Sequence, residues 1–317
     1  MEYRYSGKSG LQLPLISLGL WHNFGSVDPY DNARAMLLRA WEQGITHFDI
    51  ANNYGPEPGS AETTFGRVLR EDLAAHRDEM IISSKAGYLM WNGPYGDGGS
   101  RKYLMASCNQ SLRRTGLDYF DIFYSHRYDP NTPIEETMQA LVDIVHAGKA
   151  LYAGISNYPV DKQQECYDYL RAAHVPCVIS QYKANMLFED TLRNNLSVAE
   201  ENGSGFICFS PLAQGLLTDR YLHGIPEGSR ATKEVFLHRA QITEDVIART
   251  RRLSEIAASR GQSVAQMALA WLLAHEGVTS VIVGASSVAQ LDNNLHSVNN
   301  ITFSEHELQA IRRAIAE

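Results

Sequence analysis

The chain lacks a long apolar run. No stretch reaches the roughly 20 apolar residues that a helix needs to cross a bilayer. Gln12, Pro14 and Ser17 interrupt the apolar residues near the N-terminus, so this segment does not resemble the apolar region of a secretory signal. We therefore expect a cytoplasmic protein.

Cysteine is also scarce, with four residues in a chain of 317. Cys108, Cys166, Cys177 and Cys208 are separated by 58, 11 and 31 positions, so the short spacing of zinc and redox motifs does not occur. We expect four buried, reduced thiols and no metal site.

Basic residues are too few for a protein that binds nucleic acid. Lysine and arginine number 28 against 36 acidic residues, which leaves a formal charge of −8. Hydrophobic residues make up 44% and charged residues 20%, as is usual for a folded globular protein. Length alone permits two domains, but an α/β barrel of this size is one domain, and we expect a single domain over 1–317.

Short runs of β-branched and aromatic residues alternate with helical patterns along the chain. Most residues in each run are apolar, as expected for parallel strands that helices cover. The eight predicted strands are 16–20, 46–50, 80–84, 120–125, 151–155, 178–181, 205–209 and 280–283.

The clearest helical pattern covers 133–147, where apolar residues recur on one face at 134, 138, 141, 142 and 145. Thr132 is a candidate N-cap, Pro133 suits the first helical position, and Gly148 suits the end of the helix.

Eight strand–helix units without a break in composition predict a (β/α)8 TIM barrel. The alternative, a doubly wound sheet, usually carries G-x-G-x-x-G after its first strand, and no such motif occurs here. The glycines at 96, 98 and 99 follow no predicted strand. Residues 3–13 read as an N-terminal β-hairpin that plugs the barrel floor, and 213–242 as a long functional loop after the seventh strand.

Polar residues follow three consecutive predicted strands: Asp49 with Tyr54 on the next loop, Lys85, and His126. Each alone suits a turn, a solvated charge or a packing residue, but a barrel brings strand ends to one rim. Asp49 would neutralise Lys85, which follows apolar residues. The ammonium would lower the pKa of Tyr54 from its reference near 10, so that Tyr54 protonates a carbonyl oxygen while His126 donates a second hydrogen bond.

These residues resemble the aldo-keto reductases, which are NADPH-dependent (β/α)8 oxidoreductases. The family's Asp–Tyr–Lys–His tetrad corresponds to Asp49, Tyr54, Lys85 and His126. Trp21 and the turns at 211–213 and 284–286 are most similar to the potassium-channel β-subunit branch. The segments 51–59, 95–103 and 125–127 resemble bacterial members that reduce glyceraldehyde 3-phosphate and methylglyoxal.

The resemblance also implies a cofactor site. Ser156, Asn157 and Gln181 would hold the nicotinamide carboxamide, and Phe209 would stack on its ring. The remaining implied cofactor residues contact the ring, the phosphates or the adenosine: Trp21, Asp49, Tyr54, Ser210, Pro211, Leu212, Gln214, Gly215, Arg220, Arg230, Gly284, Ser286, Gln290, Asn293 and Asn294.

The turn at 284–290 carries no charge, whereas many family members place a lysine and an arginine there. NADPH preference would then depend on Arg220 or Arg230, with use of NAD as the alternative. Ser286 is alternatively only the cap of the last barrel helix.

The substrate pocket is expected in the loops after the first four strands, and Arg127 is a candidate for a substrate phosphate. The alternative is that Arg127 points away, because adjacent strand residues face opposite sides. The candidate pocket residues are Trp21, His22, Phe24, Tyr88, Trp91, Arg127 and Tyr128.

The expected function is reduction of small aldehydes. One alternative is a cofactor-sensing regulatory subunit, which His126 disfavours because the channel subunits commonly lack this histidine. Another is a lyase that uses Lys85 as a Schiff base, which would leave the implied cofactor residues without a purpose. The resemblance also implies a homo-oligomer, a tetramer or an octamer.

Overall fold

A computed structural model describes residues 1–222, 224–226, 232 and 237–316. Its centre is a closed barrel of eight parallel strands, each paired with its two neighbours. The barrel strands are β3 (Ile16–Gly19), β4 (His47–Asp49), β5 (Ile81–Ala86), β6 (Phe120–Ser125), β7 (Ala150–Ser156), β8 (Cys177–Lys183), β9 (Gly205–Phe209) and β10 (Val278–Val283). The sheet closes between β10 and β3, which confirms the TIM barrel and excludes the doubly wound sheet.

Helices surround the barrel. They are α1 (Tyr30–Glu42), α2 (Ser60–Val68), α3 (Arg101–Thr115), α4 (Ile134–His146), α5 (Val160–Ala172), α6 (Asp190–Glu201), α7 (Glu244–Ser259), α8 (Val264–Leu273), α9 (Val288–Leu295) and α10 (Glu305–Ala316). In the part of the chain that the structure describes, no helix is long and apolar enough to cross a membrane.

All eight predicted strands are present, with ends that differ by a few residues. The predicted cap of α4 is wrong in detail. Thr132 Oγ1 donates to Asp129 Oδ2 at 2.7 Å, and Pro133 stands in an extended conformation as the residue before the helix. Gly148 follows the helix with a φ of 68°, as predicted for a residue that ends it.

The predicted N-terminal hairpin is confirmed by the antiparallel pair β1 (Tyr3–Tyr5) and β2 (Gln12–Pro14). Its apolar residues Leu11 and Leu13 pack with Ile122 and Ile207 of the barrel interior. Ser6 Oγ donates to Val178 O at 2.7 Å at the start of β8. The hairpin therefore closes the floor of the barrel, as expected, and leaves the opposite rim open.

The four cysteines are buried and unpaired, as predicted. Burial raises the pKa of Cys108 to about 12 and that of Cys177 to about 11. These thiols are therefore protonated and unreactive at neutral pH.

Candidate active site

The carboxyl ends of the barrel strands open into a cleft of about 710 Å³. The cleft is lined chiefly by residues at the ends of β3, β4, β9 and β10 and in the loops that follow. Most predicted cofactor residues lie in this lining: Trp21, Asp49, Tyr54, Phe209, Ser210, Pro211, Leu212, Gln214, Gly215, Arg220, Gly284, Ser286, Gln290, Asn293 and Asn294.

Asp49 and Lys85 form a buried ion pair beside the cleft. Lys85 Nζ donates to Asp49 Oδ2 at 2.6 Å, to Ile50 O at 2.6 Å and to Tyr54 Oη at 3.4 Å. Three acceptors match the three protons of the ammonium, so this fully buried cation has a partner for each proton. The predicted neutralisation of Lys85 by Asp49 is confirmed.

The pKa of Tyr54 moves in the opposite direction to the expectation. Burial raises this pKa well above its usual value of 10.0, and the charge of Asp49 raises it further. The prediction that Lys85 lowers it is wrong for this structure, because burial and the charge of Asp49 both disfavour the phenolate. Tyr54 is a neutral phenol at pH 7. Its oxygen accepts from Lys85, so its proton is available to another acceptor.

His126 also lies next to Tyr54, with ring centroids 5.8 Å apart. Burial lowers the pKa of His126 well below 6.5, so its imidazole is neutral and carries a single ring N–H. The residues of the predicted tetrad thus meet at one rim: Asp49, Tyr54, Lys85 and His126.

Ser156, Asn157 and Gln181 flank this group at the ends of β7 and β8. Gln181 Nε2 donates to Asp49 Oδ1 at 3.0 Å. Asn157 Nδ2 donates to His126 O at 3.2 Å and to Ser156 Oγ at 3.0 Å. The three residues are therefore hydrogen-bonded to the tetrad or to each other.

The loop after β9 has an unusual backbone. Ser210, Ala213 and Gln214 have φ values of 53°, 46° and 59°, in the left-handed region that favours glycine. Each such residue costs on the order of 1 kcal/mol, and strain of this kind clusters at functional sites. Gln214 Oε1 is also buried with no hydrogen-bond partner among the described residues.

The turn after β10 ends at the N-terminus of α9. Ser287, not Ser286, caps this helix, because Ser287 Oγ accepts from Gln290 N at 3.2 Å. The alternative reading of Ser286 as the cap is wrong; its hydroxyl donates to Gln290 Oε1 at 2.9 Å and lies in the cleft lining. On the same helix, Asn294 Nδ2 is buried with no partner in the described ranges.

Comparison with known proteins decides the family. The family model described as aldo/keto reductase family matches residues 15–316. This chain belongs to the aldo/keto reductase family. It is therefore an oxidoreductase with a small-molecule substrate.

Two bacterial relatives are more than half identical to this aldo/keto reductase. The L-glyceraldehyde 3-phosphate reductase of Escherichia coli O157:H7 is 56% identical over 322 residues, which cover 100% of this chain and 93% of the relative. The protein of the same name from strain K12 is 55% identical over the same lengths. A probable voltage-gated potassium channel subunit beta of Arabidopsis thaliana is 34% identical over 308 residues, 95% of this chain and 92% of the relative.

Aromatic rings surround the tetrad of the reductase. Trp21 stacks on His22 at 4.3 Å between ring centroids and lies 6.3 Å from the ring of Tyr54. Tyr88 meets the ring of His126 edge-on at 4.7 Å. Trp21, His22 and Tyr88 therefore lie where the sequence predicts a substrate pocket.

The side chain of Arg127 packs on the ring of Tyr88. Its guanidinium carbon is 5.3 Å from the ring centroid of Tyr88, which in turn contacts His126. Arg127 Nη2 also donates to Asp97 Oδ1 at 2.8 Å. The guanidinium therefore lies between Tyr88 and Asp97 and outside the lining of the cleft, and both interpretations of Arg127 stay predictions.

The other predicted pocket residues are Phe24, Trp91 and Tyr128. Phe24 is fully buried in the hydrophobic core, so its placement in the pocket is wrong. Trp91 packs on Tyr103, with ring centroids 5.5 Å apart, and Tyr128 packs on Tyr158 at 5.8 Å.

Arg220 is exposed and lines the cleft, whereas Arg230 lies outside the described residues. Asn23 lines the cleft but was not among the predicted residues. It has a φ of 71°, and its Nδ2 donates to Ala285 O at 2.9 Å. Asparagine tolerates this conformation better than most residues, which is a weak signal that an Asn near a strand end can give. The other cleft-lining residues that were missed are Gly19, Thr218, Asp219, Pro226, Ser263, Ala265, Ile282 and Val283.

Proposed function

We propose that this protein uses NADPH to reduce small aldehydes to alcohols, with Tyr54 as the general acid. Glyceraldehyde 3-phosphate and methylglyoxal are the candidate substrates. The observation that carries the proposal is the Tyr54 hydroxyl at the cleft. Its oxygen accepts from a buried, fully paired Lys85, which leaves its proton for a substrate oxygen.

The cleft suits a nicotinamide dinucleotide. Gln214 Oε1 and Asn294 Nδ2 are buried polar atoms that no described residue satisfies, and such atoms usually have a partner. The strained loop at 210–214 presents its backbone to the same cleft. When bound, a reduced nicotinamide supplies hydride, which no side chain can. Phe209 would contact its ring, and Ser156, Asn157 and Gln181 its carboxamide.

The proton follows a separate route through the protein's own groups. The high pKa of Tyr54 keeps the phenol protonated at neutral pH, as a general acid requires. Lys85 donates to the phenolic oxygen and stabilises it as the proton leaves. His126, neutral because burial lowers its pKa, donates its N–H to the same substrate oxygen.

NADPH preference would rest on Arg220 and Arg230. The turn at 284–290 is neutral, so it offers no cation to the extra phosphate of NADPH. Use of NAD is therefore the alternative. Changing both arginines to alanine should raise the NADPH dissociation constant and leave that for NADH nearly unchanged. An unchanged NADPH constant would contradict the assignment.

Arg127 is our candidate for a substrate phosphate. It already holds an anionic group, the Asp97 carboxylate, and a phosphate would compete for the same guanidinium. Arg127→Ala should raise KM for glyceraldehyde 3-phosphate without changing KM for methylglyoxal, which has no phosphate. Asp97→Asn is the matched variant and should lower KM for the phosphorylated substrate alone. Equal changes for both substrates would reject this role.

The deciding experiment follows NADPH and NADH oxidation by absorbance. The substrates are glyceraldehyde 3-phosphate, methylglyoxal and a plain aromatic aldehyde. Tyr54→Phe should lose turnover but keep cofactor binding. Full activity in Tyr54→Phe would overturn the proposed acid.

A regulatory subunit is the second candidate, favoured by the 34% identity to a probable channel subunit beta. Tight cofactor binding without turnover of any aldehyde would support it. A single functional domain over 1–317, a homo-oligomer of four or eight copies and a cytoplasmic location remain our predictions. Light scattering of the purified protein measures the number of copies.

A further inference from the structure

A line of polar side chains crosses the barrel interior and ends at Asp49. Ser280 Oγ lies 2.7 Å from Ser17 Oγ, which lies 2.8 Å from His47 Nδ1. His47 Nε2 lies 3.0 Å from Ser83 Oγ, and Ser83 Oγ donates to Asp49 Oδ1 at 2.8 Å. The first four side chains are fully buried, and Asp49 is 2% exposed.

The direction of these hydrogen bonds follows from the chemistry of the groups. The ion-paired Asp49 only accepts, so Ser83 uses its single proton on it. Ser83 can then only accept from His47, which requires the proton of a neutral imidazole on Nε2. His47 Nδ1 is left as an acceptor for the hydroxyl of Ser17. Ser17 Oγ can then only accept at its 2.7 Å contact with Ser280, whose hydroxyl also lies 3.3 Å from Leu15 O. From Ser17 onward, each donor in the line points toward Asp49.

We propose that His47 is a positioning residue for the Asp49–Lys85 pair, acting through the hydroxyl of Ser83. The Nε2–H of His47 prevents Ser83 from turning its proton elsewhere in the barrel. Asp49 Oδ1 then keeps two donors, Ser83 and Gln181, while Oδ2 remains free for Lys85.

This arrangement reaches the reacting group through Lys85. The two charged groups that act on His47 are Asp49 and Lys85, and burial with the charge of Lys85 favours the neutral imidazole. A carboxylate that loses one donor rotates toward its remaining partners, which changes the contact of Lys85 with Tyr54. Loss of the His47 contact should therefore impair proton donation by Tyr54. It should not change cofactor binding by the loops after β9 and β10.

The inference rests on the roles proposed above for Tyr54 and Lys85. His47→Leu should lower kcat about 10-fold, the size of one lost hydrogen bond, and leave the NADPH dissociation constant within about 2-fold. His47→Gln supplies a donor and an acceptor and should restore most of kcat. Ser180→Ala is the control, since Ser180 is a buried strand serine whose hydroxyl pairs with Tyr167 instead.

A double-mutant cycle separates this role from a general packing effect. With Ser83→Ala already present, His47→Leu should cause little further loss of kcat, because the route from His47 to Asp49 is cut. Losses of kcat that multiply, or a loss in Ser180→Ala as large as in His47→Leu, would overturn the proposal.

Nitrogen NMR of the His47 ring gives a readout that is independent of turnover. We expect a neutral imidazole protonated on Nε2 at pH 7, and protonation on Nδ1 would overturn the proposal. If His47→Leu does not fold, Ser17→Ala and the NMR signal still test the proposed role of His47, because Ser17→Ala should leave the Nε2 proton in place.

The failure of the proposed function and the failure of this inference give different results. Full turnover in Tyr54→Phe rejects the proposed function. A normal kcat in His47→Leu, together with an inactive Tyr54→Phe, rejects only the role of His47.

Discussion

The two sides of the active-site cleft are built differently. On the side of β4 and β5, Lys85 has a partner for each proton and the Asp49 oxygens accept three hydrogen bonds. On the side of β9 and β10, Gln214 and Asn294 have buried polar atoms without described partners, next to a strained backbone. The Asp49–Lys85 pair is fully hydrogen-bonded once the chain folds. The second side carries features that a bound ligand would satisfy.

The largest expected effect comes from breaking the Asp49–Lys85 pair. Lys85→Met leaves the Asp49 carboxylate buried without its cation, and removal of one partner of a buried pair costs about 3–5 kcal/mol. Denaturant unfolding measures the loss. The double variant Lys85→Met with Asp49→Leu should recover much of the stability but none of the activity. A single variant as stable as the unmodified protein would contradict this account.

A pH experiment tests the buried histidine on the same side. Burial lowers the pKa of His47 from 6.5 to about 4. Between these pH values the unfolded chain binds a proton at His47 that the folded protein does not bind. The free energy of unfolding therefore falls as the pH drops from about 6.5 to about 4, and it levels off below pH 4. The loss attributable to His47 is about 3 kcal/mol.

His47→Gln does not titrate, so its free energy of unfolding should vary less over this pH window. Unfolding curves at several pH values measure the difference. The same slope in both proteins would place the titrating group elsewhere.

A glycine substitution in the strained loop after β9 should raise the stability of the protein rather than lower it. Ala213→Gly relieves a φ of 46° and should stabilise the ligand-free protein by up to about 1 kcal/mol. Ala35→Gly, at an exposed position in α1, is the matched control and should destabilise it by about 0.5–1 kcal/mol. Thermal unfolding separates the two signs. Destabilisation by Ala213→Gly would mean that the loop is not strained.

The smallest contrast concerns two neighbouring serines. Ser287→Ala removes a helix cap and should cost about 1 kcal/mol of stability. Ser286→Ala should change stability by less than about 0.5 kcal/mol but weaken cofactor binding, because Ser286 lines the cleft. Calorimetry with NADPH, together with unfolding curves, measures both quantities, and reversed effects would contradict these roles.

The sequence predicted what depends on local pattern. The apolar runs marked all eight strands, and the polar residues at their ends marked Asp49, Lys85 and His126, because parallel strands end at one rim. What it missed depends on where a side chain points. Phe24 turned into the core, and the pKa of Tyr54 rose because burial and then the charge of Asp49 disfavour the phenolate.

The hydrogen-bonded line of Ser17, His47, Ser83 and Ser280 could not be predicted from the sequence for a related reason. Each residue lies singly inside an otherwise apolar strand, and only the closed barrel brings the four into contact. No periodicity of a single strand reports on neighbours that are far apart in the chain.

The hairpin at the barrel floor has a consequence for how the molecule is made. Leu11 and Leu13 belong to one hydrophobic cluster with Val178 and Ile207, and Ser6 bonds to a carbonyl 172 positions later. A ribosome releases the hairpin long before those partners exist. Its leucines therefore remain exposed to water until most of the barrel has been synthesised. Contacts of such long range slow folding, and exposed apolar surface favours aggregation meanwhile. This short plug makes the nascent chain a candidate for chaperone binding.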